Sequence, residues 1–158
     1  MASCQDFHAF VLRDLRKSLY AGGARYTWSG AYSESHRIVA ADDLCDWASE
    51  MAPAGLRTLF GHSFGGEIAS RAVLAGAATQ QLVLLSCPVT VWVQAAVSMT
   101  DVIDVRLHLD PVLAIGALPQ RFTGEHPRAS EIFWHLNHAT THNPAVWSAR
   151  SIADRTGL

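Results

Sequence analysis

A chain of 158 residues with 49% hydrophobic content suits one domain, residues 1–158, built around a single core. Its net charge of −2 is scattered with no basic stripe, which argues against nucleic acid or an anionic membrane surface as the main partner. The three cysteines, Cys4, Cys45 and Cys87, show no C-x-x-C spacing; a disulfide framework or cysteine-based zinc site is not expected, and a reducing cytoplasm fits better.

The opening MASCQDFHAF has no basic stretch before an apolar core, so no signal peptide is expected. No apolar run approaches the ~20 residues that span a bilayer. The most apolar stretch, Gln81 to Val97, is interrupted by Ser86, Cys87, Pro88 and Gln94.

In chain order, Asp6 to Tyr20 places Phe7, Phe10, Val11, Leu15 and Leu19 at helical spacing, with Gly22-Gly23 as a stop. Arg25 to Trp28 reads as a short strand. Ser35 to Met51 reads as a helix with Ile38, Leu44, Cys45 and Met51 inward and Asp42, Asp43, Asp46 and Glu50 solvated. Leu56 to Phe60 is a strand candidate, and an alanine-rich helix runs from Glu67 to Ala77. Gln81 to Ser86 is a continuous apolar run, as in a strand buried on both faces. Val89 to Met99 fits strand or helix. Val102 to Leu109 is a further strand, ending at Asp110-Pro111, and a Gly/Pro-rich loop covers Gly116 to Arg128. Ser130 to His138 reads as helical, and Pro144 to Ile152 as a last helix or turn. Helices alternating with about four short apolar strands predict an α/β fold: a small, mostly parallel sheet in a three-layer α/β/α arrangement.

The chemistry concentrates at Gly61-His62-Ser63-Phe64-Gly65-Gly66, between a strand and a helix. G-x-S-x-G in that setting exposes a nucleophilic serine, here Ser63, on a strained turn. Gly61 and Gly65 are expected to be glycine because a Cβ at either would strike neighbouring backbone. The following helix directs its dipole and free N–H groups at developing negative charge.

A serine needs a base and an orienting acid. Asp110, directly after a strand, is the acid candidate; Asp101 precedes that strand and Asp104 lies within it. The C-terminal part holds His135, His138 and His142. Their spacing of three and four would allow a shared metal, but Asn137, Thr140, Thr141 and Asn143-Pro144 suggest a loop, with no acidic residue among them. The preferred reading is no metal and no cofactor, with His138 as the general base and His142 as the alternative. His62 is expected as a pocket wall. Trp28, Phe64, Trp92, Trp134 and Trp147 are candidate walls of an apolar acyl pocket.

With serine, aspartate and histidine in that order, the chain resembles the α/β-hydrolase superfamily in its esterase- and lipase-like branch. Tyr26-Thr27-Trp28-Ser29-Gly30, a helix containing Arg37, and Leu85-Ser86-Cys87-Pro88 add to the resemblance. It implies a hydrolase of carboxylic esters or related acyl compounds, with Ser63, His138 and Asp110 catalytic and the Phe64 N–H in the oxyanion hole. The departure is at the front. Family members open with about three further strands and a His-Gly loop that supplies a second oxyanion donor. A non-catalytic binding or assembly domain is therefore the alternative expectation, and the missing strand implies a sheet edge through which the chain could form a homodimer.

Overall fold

The computed structural model describes residues 4–15 and 26–158. Its centre is a four-stranded, all-parallel sheet in the order β1 (Leu56–His62), β2 (Thr79–Leu85), β3 (Asp101–Leu107) and β4 (Ala129–Phe133). Register pairs Leu59 with Leu82, Val83 with Ile103 and Val105 with Glu131. Side chains alternate across a strand, so each strand feeds two cores. Leu82, Leu84 and Val102 pack on one face under helices α2 (Glu34–Met51), α3 (Phe64–Leu74) and α4 (Val91–Ala96). Val83, Leu85, Ile103, Val105 and Leu107 pack on the other face. There they meet α1 (Cys4–Phe10), which continues as a π-helical turn to Leu15, together with α6 (Pro144–Arg150) and α7 (Ile152–Thr156). A single turn, α5 (Pro111–Ile115), follows β3. The molecule is a small three-layer α/β fold. Among the described residues, no helix is long and apolar enough to cross a membrane.

Two expected elements change, and a third, left open, is decided. Residues 26–28 form no strand; Arg25 lies outside the described residues. The aromatic residues that suggested β structure serve as packing: Tyr26 donates its hydroxyl to the Ala40 carbonyl at 2.6 Å and stacks against Trp47. The fourth strand comes instead from Ala129–Phe133, inside the segment expected to be helical. Glu131 and Phe133 turn inward while Ile132 faces out, the period of two that a five-residue window hides. Within Val89–Met99, which fitted strand or helix, Val91–Ala96 forms helix α4. The first helix was expected to reach Tyr20; its residues 16–20, and the glycines after it, lie outside the described residues.

Helix α2 forms where expected but turns differently. Ala40, Ala41, Leu44 and Ala48 are buried, whereas Ile38 is exposed. The small residues set α2 close against Ala69 and Ala72 of α3, and Ile38 is too far round the helix to join them. Among the described residues β1 has one strand neighbour, β2, and is the sheet's edge on that side.

Candidate active site

The junction of β1 and α3 places Ser63 at φ 54°, ψ −132°, a region L side chains rarely adopt, at a cost of about 1–3 kcal/mol. The surroundings hold it there. Its N–H donates to the Leu85 carbonyl at 2.9 Å, and its carbonyl accepts from the Gly66 N–H at 3.0 Å. A Cβ on Gly61 would lie 2.5 Å from the Gly66 Cα, so glycine is obligatory there. The same argument fails at Gly65, where a Cβ would meet nothing nearer than Trp28 Nε1 at 3.8 Å. The second constraint falls on Gly66, whose Cβ would sit 2.5 Å from the Cys87 sulfur. The doubled glycine of the motif was the available signal.

Phe64 opens α3, and its N–H is one of the donors a helix leaves without an intrahelical partner. Its ring is fixed from outside the turn. The Arg37 guanidinium stacks on it at 4.4 Å while donating to buried Glu67 at 3.1 Å.

Asp110 caps α5: its Oδ1 accepts from the N–H groups of Val112 at 3.0 Å and Leu113 at 3.4 Å. Its Oδ2 lies 2.7 Å from Nδ1 of His138. The carboxyl is 1% exposed, and burial alone would raise its pKa. The hydrogen bond and charge of His138, with the Leu113 N–H, outweigh this and hold it below the ordinary value. An ionised Asp110 accepts only, so His138 carries its proton on Nδ1 and presents a lone pair at Nε2. That Nε2 is buried and, among the described residues, makes no hydrogen bond, to Ser63 Oγ or to any other group.

The other candidates fall elsewhere. Asp101 opens β3 and pairs with Arg128 at 2.6 Å; Asp104 is buried against Arg106. His135 is exposed and hydrogen-bonded to Thr140, on a loop rather than a helix. His138 and His142 bound a short 3₁₀ turn. His142 is buried, its ring 4.3 Å from that of His62, and the same His62 ring lies 4.7 Å from His138. Burial, with His142 and His138 adding to it, lowers the His62 pKa to about 3, so this ring stays neutral beside His138. Among the described residues, no three His, Cys, Asp or Glu side chains are placed to hold a metal ion.

A cavity of about 520 Å³ opens beside the turn. Ser63, His62, Phe64, Trp28, Trp47 and Phe60 line it, and none of its described wall residues is Asp, Glu, Lys or Arg. Of the aromatic residues considered as walls, Trp28 and Phe64 are in place. Trp147 is instead buried in the opposite core with Phe7 and Phe10, and Trp92 and Trp134 are exposed. The cavity follows the outer edge of β1, touching every residue from Thr58 to Ser63.

The chain matches no protein-family model and no curated protein. The functional reading therefore rests on the geometry. Sequence reasoning passed over Gln120, which hydrogen-bonds the Asp110 main chain, and Arg106, which donates to the Gln120 carbonyl.

Proposed function

We propose that the chain is an α/β-hydrolase-like serine hydrolase of carboxylic esters or related acyl compounds, with Ser63, His138 and Asp110 as its catalytic residues. One observation carries this reading. Asp110 Oδ2 lies 2.7 Å from His138 Nδ1, leaving Nε2 buried and without a hydrogen-bond partner among the described residues, in a ring packed against that of His62, the residue before Ser63 on its strained strand–helix turn. In the reaction, Ser63 Oγ attacks the acyl carbon and its proton passes to His138 Nε2. Asp110 stabilises the imidazolium. Collapse of the tetrahedral intermediate breaks the bond to the alcohol, which leaves with the proton from His138. Water, deprotonated by His138, then releases the acid from Ser63. The Phe64 N–H donates to the oxyanion. His62, neutral and stacked on His138, adds no opposing charge when the base is protonated.

The second reading is a non-catalytic acyl-binding or assembly domain. It is favoured by the absent Ser63–His138 hydrogen bond and by Phe64 being the one oxyanion donor assigned among the described residues. A missing second donor costs ~2.7–4 kcal/mol of transition-state stabilisation, about a hundredfold or more in rate. A fluorophosphonate probe separates the two readings. Labelling of the wild type that disappears in Ser63→Ala is the expected result, with hydrolysis of short-chain nitrophenyl esters lost in parallel. An unlabelled wild type leaves the binding reading.

The proposed location is the cytoplasm, where Cys45 and Cys87 would stay as the free thiols they are. A homodimer through the outer edge of β1, which has no strand neighbour there among the described residues, would cover that edge. Light scattering at working concentration tests this, and a monomeric mass would remove it.

A further inference from the structure

We propose that Gln120 is a positioning residue that sets the aim of Asp110 at His138, anchored by the buried Asp104–Arg106 pair. The inference deepens the hydrolase reading and takes its catalytic meaning from it. The Gln120 side chain meets the main chain of Asp110 twice: Oε1 accepts from the Asp110 N–H at 2.8 Å, and Nε2 donates to the Asp110 carbonyl at 3.3 Å. These two bonds fix the peptide groups on either side of the Asp110 Cα. The α5 cap engages Oδ1. With backbone and one oxygen held, Oδ2 has a single direction left, and it is that of His138 Nδ1.

Gln120 is itself held. Its carbonyl accepts from Arg106 Nη1, while Nε and Nη2 of the same guanidinium grip Asp104, the latter at 2.7 Å. Asp104 and Arg106 are two apart on β3 and so share a face. Both are buried, and Phe122 lies 5.2 Å from the guanidinium. A buried ion pair is a poor source of stability, since apolar residues of the same volume commonly do as well or better. What this pair does supply is a fork of fixed geometry with one donor to spare. That donor ties the loop carrying Gln120 to the central sheet. The result is a strut from β3, through Gln120, to the acid ten residues earlier in the chain.

The ring ¹⁵N shifts of His138 test this, assigned by their loss in His138→Asn. They report which nitrogen carries the proton and whether Nδ1 is hydrogen-bonded, which loss of packing alone would not move. Gln120→Met keeps the length and loses both bonds; Gln120→Asn keeps the amide and loses the reach. Each is expected to shift His138 away from the Nδ1–H form and to slow fluorophosphonate labelling of Ser63 by about ten- to a hundredfold. If Met at 120 prevents folding, the Asn variant decides. Wild-type ring shifts in either folded variant overturn the proposal. A wild type that is never labelled defeats the hydrolase reading, and the ring shifts then decide the role of Gln120 alone.

Discussion

The serine turn and the Asp110–His138 arm are held in place by different means. Ser63 is held by steric exclusion among neighbours in sequence: a bare Cα at Gly61 against Gly66, and a backbone forced to positive φ. Asp110 is held by hydrogen bonds from residues 2, 3, 10 and 28 positions away. A steric constraint tolerates almost no change at one atom and is indifferent to most others. A hydrogen-bonded arm spreads its tolerance, because each bond contributes only about 0.5–1.5 kcal/mol net. The turn should therefore fail abruptly and the arm by degrees.

The largest expected effect is on the steric side. Gly61→Ala should destabilise the fold by about 3 kcal/mol, since the new methyl meets backbone that cannot move aside. Urea denaturation measures it, and a loss under about 0.5 kcal/mol would contradict the steric account. An intermediate effect is expected where the two parts meet, at His62, whose ring faces His138, His142 and, further off, Asp110. Folded, His62 takes its proton only near pH 3; unfolded, it does so near pH 6.5. Between those values the unfolded chain binds more protons, so stability falls as pH falls, by about 1 kcal/mol from pH 6 to pH 5. Asp110, with its pKa lowered in the fold, acts in the same direction only below about pH 4. Thermal melts across this range should show a shallower acid slope in His62→Phe than in the wild type. The smallest effect distinguishes the two glycines once grouped together. Gly65→Ala should be neutral or gain up to about 0.5–1 kcal/mol, because it lies in open space within a helix. A loss as large as that at Gly61 would mean that the turn is constrained on both sides.

The same division explains what could be read in advance. The serine turn, β2 and β3 were legible because their signals are local: glycines about a strand end, a continuous apolar run from Leu82 to Leu85, and β-branched residues from Val102 to Val105 bounded by Asp110-Pro111. Asp110 was legible as a carboxylate at a strand's carboxyl end, and its hydrogen bond falls on His138 among the three clustered histidines. β4 was not, because a five-residue strand at a sheet edge owes its form to pairing with β3. Tyr26 and Trp28 misled for a similar reason: aromatic residues favour strands only where a partner strand exists, and these two pack on helices. Gln120 and Arg106 left no signal. An amide in a loop and an arginine in an apolar strand become a strut only once the chain has brought them together.

Cys87 sits behind the serine turn, fully buried, with its thiol against Gly66 and burial raising its pKa. A thiolate is the reactive form, so in the closed molecule this sulfur is doubly inert, shielded and protonated. Modification by a thiol reagent requires a local opening that exposes this sulfur. The pace at which Cys87 is alkylated under native conditions therefore reports how often the core around Gly66 opens.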